Sequence, residues 1–390
     1  MPLGNRAARA GRNLTIYLDN LASTPIDPRV AQHYAATAVA IAANPNSGEH
    51  ASGQAAQAEL ERSRATVGAL IGRTGEETLV TPTASSALWI AVQDAIVRGL
   101  KRRIHVLASA VEHPSLLRNL VDADRDGRIL LTLFPVDRRG QPELDGLRRL
   151  ARHPVDLVCM MAANNELGTI TPLREVLAIA RELGARTLVD ASQAAGRMPL
   201  ADELAEADHV IVSGAKMYGP RTGALCGPLA RRTLDMVHEL FGTPDVAAAS
   251  ALALACDLRL SEMASDEARI AGMRDGLERT LLETVPGLVV NGDLEHRLAG
   301  ALHVSHPDLP GEAVIARLHN LVDLSSGAAC QSGVPGPSHV LKAINLSADL
   351  ADGAVRICVG KFNTEEEVER AGNLIADAMQ AGRVAVRRRA

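Results

Sequence analysis

Three short apolar runs, at 104–108, 155–161 and 187–190, are rich in Val, Leu, Ile and Met and too short for helices, so they read as buried strands. Between the last two, apolar positions recur at helical spacing from Leu173 to Leu183, opening after Pro172 and stopping at Gly184. Residues 209–213 add a further strand. Strands alternating with helices predict βαβ units, hence an α/β fold with a mostly parallel sheet flanked by helices. Near residue 260 the pattern changes. A long helical run through Asp266, Arg269, Met273, Leu277 and Leu281 leads to short strands at 288–291 and 301–304, then to helices at 312–319 and 364–380. The expectation is a large domain over 15–260 and a smaller α+β C-terminal domain over 261–390, with the first residues of the chain packed on the smaller one.

Composition narrows the class. Hydrophobic residues make up 47% and charged residues 22%, as in ordinary globular enzymes. Only seven residues are aromatic, so the core must be built from Ala, Val, Leu and Ile. The net charge of −5 gives no general attraction to nucleic acid, and no direct nucleic-acid binding is expected. Arg6, Arg9 and Arg12 near one end and Arg383, Arg387, Arg388 and Arg389 at the other read as solvated, frayed termini. No apolar segment follows the first arginines as a signal peptide would require, and the longest Ala-rich stretch, 35–43, is too short to span a membrane. Cys159, Cys226, Cys256, Cys330 and Cys358 are scattered, with no CxxC pair and no Cys/His spacing that suits a metal. That distribution predicts a reduced, cytoplasmic protein without a disulfide framework.

The candidate chemistry sits where strands end. Ligands of open α/β sheets gather outside the carboxyl ends of the strands, which is where Asp190, Gln193, Ser213 and Lys216 fall. An isolated lysine is ordinarily a solvated surface charge. Lys216 instead follows a buried strand and precedes Met217-Tyr-Gly-Pro220, a context suited to a Schiff base. Asp190 can hold a pyridinium nitrogen protonated or simply cap a helix. A Schiff-base lysine with an acidic partner for the ring nitrogen is what pyridoxal phosphate asks of its protein. Ala84 and Ser85, in Thr81-Pro-Thr-Ala-Ser-Ser-Ala-Leu88, open a helix and offer N–H groups and a hydroxyl to a phosphate, although the same residue types also act as plain caps. His113, before Pro114-Ser115, either starts a helix or works at the site. Cys330 lies in a Gly/Ser-rich stretch, unlike Cys159 and Cys358 in apolar strands, and is the cysteine best placed to react.

The ordered strings Asn44-Pro-Asn-Ser47, Glu112-His113, Asn164-Asn-Glu-Leu-Gly168, Asp190-Ala-Ser-Gln193, Ser213-Gly-Ala-Lys216, Ser325-Ser-Gly-Ala-Ala-Cys330 and Val355-Arg-Ile-Cys-Val-Gly360 resemble the cysteine desulfurases. These form part of the class V branch of fold-type-I pyridoxal phosphate enzymes, and the likeness runs from Ile16 to the helix after Thr364. The resemblance implies a homodimer that converts L-cysteine to L-alanine and carries the sulfur as a Cys330 persulfide to an acceptor protein. It makes Lys216 the Schiff-base lysine and general base, and sets Asp190 on the ring nitrogen and Gln193 on the phenolic oxygen. His113 stacks on the ring and assists proton transfer, and Asn165 serves a cofactor oxygen and the substrate carboxylate. Arg356 clamps that carboxylate. Ser85 and Ser213 serve the phosphate, with Thr243 reaching it from the neighbouring subunit.

Departures from the family stand at Ala215, where histidine usually contacts the phosphate, in the short segment 217–242, and at Ser86 and Trp89. They predict weaker cofactor binding and a dedicated pathway. Relatives serve iron–sulfur assembly, tRNA thiolation, natural-product sulfuration and DNA phosphorothioation, and the last is one candidate here. Competing expectations are a selenocysteine lyase or epimerase of the same branch, and a non-catalytic scaffold of the same fold.

Overall fold

The computed structural model describes residues 15–100, 102–150, 154–326 and 336–387, with side chains up to residue 382. Cys330 lies outside the described residues, as do Arg6, Arg9, Arg12, Arg388, Arg389 and the side chains of Arg383 and Arg387. In chain order the strands are β1 (Ile16–Tyr17), β2 (Thr78–Thr81), β3 (Ile104–Ser109), β4 (Ile129–Phe134), β5 (Leu157–Met161) and β6 (Arg186–Asp190). They continue as β7 (His209–Ser213), β8 (Gly223–Cys226), β9 (Val289–Val290), β10 (Ala301–Ser305), β11 (Val322–Asp323) and β12 (Ala354–Cys358).

Seven strands form the main sheet in the order β2-β8-β7-β6-β5-β3-β4, and all except β8 point the same way. The strands legible in the sequence, β3, β5, β6 and β7, are the central ones, buried on both faces. Their side chains alternate between two cores. Val106, Ala108, Leu157 and Cys159 meet helices Ala84–Arg98 and Pro114–Arg125 on one face. Leu107, Val158, Met160 and Val189 meet helix Leu173–Glu182 on the other. Strands β2, β4 and β8 escaped the pattern. β8 is only Gly-Ala-Leu-Cys, and β4 is an edge strand with Leu130 and Leu133 partly in solvent.

A smaller antiparallel sheet, β12-β10-β9, is covered by the second half of helix Val246–Thr284 and by helix Glu365–Arg387. Ile270, Met273, Leu277 and Leu281 from the first helix interlock with Val368, Ala371, Ile375 and Met379 from the second. The N-terminal segment joins this core, because β1 pairs in parallel with β11 and buries Ile16 and Leu18 there. The change of pattern near residue 260 falls inside one unbroken helix, Val246–Thr284. No helix among the described residues is long and apolar enough to cross a membrane.

Candidate active site

The carboxyl ends of β2, β3, β5, β6 and β7 open onto one cavity of about 330 Å³. Its wall contains Ala84, Ser85, His113, Asn165, Asp190, Gln193, Ser213 and Lys216, so eight of the residues singled out from the sequence converge there.

Lys216 is placed by a constrained turn. After Ser213 the chain enters a single turn of 3₁₀ helix, Gly214–Lys216, and returns as β8. The Gly214 N–H donates to the Thr222 carbonyl at 2.8 Å, and its own carbonyl accepts the Gly219 N–H at 2.9 Å. A Cβ on Gly214 would lie 2.4 Å from the Pro220 carbonyl oxygen, so the close return of the chain requires glycine. Buried Arg197 donates to the Lys216 carbonyl at 3.0 Å and to the Asn20 carbonyl at 2.8 Å. The Lys216 ammonium points into the cavity region, donating to the Leu21 carbonyl at 3.1 Å and to that of Ala22.

Asp190 ends the buried strand β6, and its Oδ1 accepts the Ser192 N–H at 3.0 Å. The local cap is real, yet the carboxylate also lines the cavity. Gln193 gives one amide N–H to the Leu21 carbonyl at 2.8 Å, while its Oε1 is buried without a partner. Asn165 Oδ1 is likewise buried and unpartnered. Such orphaned groups in a native cavity call for a polar ligand.

His113 both caps a helix and reaches the cavity. It caps helix Pro114–Arg125, its Nδ1 accepting the Ser115 N–H at 3.1 Å, and it lines the cavity. Burial holds its imidazole below the ordinary value, with Asp190 opposing and Lys216 reinforcing the shift. With Nδ1 accepting the Ser115 N–H, Nε2 is the ring nitrogen available to carry a proton. Behind it, Glu112 is fully buried. It accepts the Met161 N–H at 2.7 Å, and burial next to Asp190 pushes its carboxyl well up.

Two expected residues are not in the cavity wall. Arg356, on β12, donates to Asp19 Oδ1 at 2.8 Å and to the Asn165 carbonyl at 3.0 Å, which puts it behind Asn165. Thr243 is exposed, and its hydroxyl accepts from Asn44 at 3.2 Å. The four described cysteines, Cys159, Cys226, Cys256 and Cys358, are fully buried and their thiols are pushed up, chiefly by burial. The sequence reading missed Ser23, Ser192, Arg221 and Thr222, all in the wall. The signal that existed for Arg221 was a charge beside Pro220 at the end of the lysine motif.

These groups suit pyridoxal phosphate: a lysine for its carbonyl carbon, a carboxylate for its ring nitrogen, side-chain amides whose N–H groups can meet its oxygens, and a helix N-terminus flanked by hydroxyls. At that terminus Gly223 admits close approach of the backbone, since a Cβ there would fall 2.4 Å from the Ala84 nitrogen.

The family model for aminotransferase class-V matches residues 16–371. The chain is 32% identical to a probable mitochondrial cysteine desulfurase of Dictyostelium discoideum, covering 95% of this chain and 84% of the relative. It is 33% identical to cysteine desulfurase IscS of Anaeromyxobacter dehalogenans, covering 94% and 93%. Among solved structures, a NifS-like protein aligns with a TM-score of 0.84 at 26% identity, over 94% of this chain and all of that one. DndA from Streptomyces lividans aligns with a TM-score of 0.69 at 26% identity, over 86% and 97%. With a family match over most of its length and relatives of one kind, the chain belongs to the class-V aminotransferase family, among its cysteine desulfurases.

Proposed function

We propose that this pyridoxal phosphate-dependent cysteine desulfurase takes sulfur from L-cysteine in the cavity at the carboxyl ends of β5, β6 and β7, and carries it on Cys330. The observation that supports this most is the convergence of Lys216, Asp190 and His113 on the wall of one cavity. When bound, the cofactor supplies an electron sink for charge developing at the substrate Cα. With the cofactor in place, Lys216 would hold its carbonyl carbon and would move the substrate Cα proton as a general base. Asp190 would keep the ring nitrogen protonated. Gln193 would offer its second amide N–H to the phenolic oxygen, and Asn165 would serve a cofactor oxygen and the substrate carboxylate. Arg356 would bind that carboxylate as a fork. His113 would lie against the ring and carry a proton at Nε2 for the substrate side. Ala84, Ser85 and Ser213 would receive the phosphate.

The Cys330 thiolate attacks the substrate sulfur. A sulfur–sulfur bond forms and the carbon–sulfur bond breaks, leaving its electron pair on the carbon side, where protonation gives L-alanine. The enzyme keeps the sulfur as a persulfide. A homodimer belongs to this reading, because Thr243, exposed and outside its own cavity, meets a cofactor only across a subunit boundary. So do a large domain over 15–260, a small domain over 261–390 and a cytoplasmic location. For the acceptor we favour a dedicated pathway, with DNA phosphorothioation one candidate.

The test is Cys330→Ser. The variant should bind pyridoxal phosphate and L-cysteine as the wild type does, yet form no protein persulfide. Mass spectrometry that finds the persulfide on Cys159, Cys226, Cys256 or Cys358 would remove Cys330 from the mechanism.

A further inference from the structure

We propose that Arg221 is the principal cationic ligand of the cofactor phosphate in this chain. The inference rests on the reading of the cavity as the pyridoxal phosphate site. It assigns a residue that neither the motifs nor that reading uses.

Charge carries the first part of the argument. A bound phosphate monoester brings close to two negative charges into the cavity. Lys216 is committed to the cofactor's carbonyl carbon, Asp190 is an acid and brings no positive charge, and His113 caps a helix through Nδ1 while burial works against a charge on its ring. Among the described residues of the wall, Arg221 is the one remaining cation. Its guanidinium has no ion pair and no hydrogen bond among the described residues, so its donors are free for a ligand.

Placement carries the second part. Arg221 immediately precedes Thr222, whose carbonyl accepts the Gly214 N–H at 2.8 Å. Two residues on, Gly223 lies against the start of helix Ala84–Arg98, close enough for a Cβ to strike the Ala84 nitrogen. The Arg221–Gly223 corner is thus held between the Lys216 turn and the N-terminal N–H groups of a 15-residue helix. Around it stand the hydroxyl residues Thr83, Ser85, Ser213 and Thr222. An anion at the helix start is therefore within one corner of an unpartnered guanidinium, whose planar fork suits phosphate oxygens. Position 215, in the same wall, is alanine and offers no side-chain donor.

The experiment compares pyridoxal phosphate with pyridoxal, which lacks the phosphate. The cofactor is removed from wild type, Arg221→Ala and Arg221→Lys, and each protein is titrated with both aldehydes, following the lysine adduct by absorbance. Steady-state KM for L-cysteine is measured on the saturated enzymes. Losing a charge-assisted hydrogen bond should weaken pyridoxal phosphate binding to Arg221→Ala by about 10- to 150-fold, with pyridoxal binding unchanged. Arg221→Lys, which keeps the charge without the fork, should fall between. Equal weakening toward both aldehydes would overturn the assignment, and so would unchanged titrations with a raised KM, which would make Arg221 a substrate-carboxylate residue. The reading of the site fails separately: wild type would then show no borohydride-reducible adduct on Lys216 with either aldehyde.

Discussion

The Arg356 guanidinium donates to Asp19 Oδ1 at 2.8 Å while its other terminal nitrogen holds the Asn165 carbonyl at 3.0 Å. The proposed substrate clamp thus already has an anionic partner, and an arriving carboxylate must compete with Asp19 for it. The two bonds together fix the guanidinium behind Asn165, outside the cavity wall.

Replacing Arg356 should therefore separate binding from stability. Arg356→Lys keeps a cation opposite Asp19 but loses the fork, and should raise KM for L-cysteine by about tenfold or more. Arg356→Ala should do the same and also cost about 1–3 kcal/mol of stability, because half-buried Asp19 and the Asn165 carbonyl both lose a charged donor. Steady-state kinetics and denaturant unfolding of the two variants read the two effects. An unchanged KM in both would exclude Arg356 as the clamp.

Lys216→Ala should abolish the cofactor's lysine adduct and all turnover. The chain has only four lysines, at 101, 216, 342 and 361, and Lys361 is engaged with Asp27 and Glu262. Borohydride reduction followed by peptide mapping should label Lys216 in wild type and nothing in the variant.

His113 has an observed role as a helix cap and a proposed one as a proton carrier, and substitution can divide them. His113→Asn can still accept the Ser115 N–H and keep the helix cap, whereas His113→Ala loses it and should lose about 1 kcal/mol of stability. Both remove the Nε2 proton carrier, and kcat should fall by about 100-fold or more in each. Thermal melts and kcat measured side by side make the comparison.

Glu166 gives the molecule a pH signature. Burial raises its carboxyl from 4.5 to about 7, with Ser338 and Arg356 opposing. A raised carboxyl binds its proton more tightly when folded. Its contribution is fully present below about 4.5 and is lost as the pH rises through about 7. Glu166→Gln removes this dependence. The variant's stability relative to wild type should climb between pH 5 and 7, by at most about 1.4 kcal/mol per pH unit, and level off above. Unfolding curves at four pH values settle it. A flat difference would mean that Glu166 is ionised in the folded protein throughout.

How much of this was legible in the sequence follows from the range of the interactions involved. Central strands announce themselves through short apolar runs buried on both faces: β5 is apolar throughout, and β6 carries Leu188 and Val189 just before Asp190. Asp190 and Lys216 stand out because each interrupts or follows such a run. β8 is stabilised by its neighbours β7 and β2 rather than by its own four residues, so nothing local marked it. Arg221 was hidden for a related reason. It is an exposed arginine after a proline, and only the reversal of the chain into β8 brings it to the start of a helix more than a hundred residues earlier. The burial of four cysteines was expected for Cys159 and Cys358, from their apolar strands, but could not be read for Cys256, whose helix shows no single apolar face.

The stretch from Asp19 to Thr24 behaves as a drawstring through the molecule. At one end Asp19 is tied to Arg356 and Ser325, and the Asn20 amide to the Cys358 carbonyl, all beside the smaller sheet. At the other, the Leu21 and Ala22 carbonyls take the Lys216 ammonium, and Thr24 is knotted to the Ala215 carbonyl and the Tyr218 N–H. One short piece of backbone thus joins the Arg356–Asp19 pair to the carbonyls that hold the Lys216 ammonium, and any displacement of that pair would have a short covalent path to the lysine.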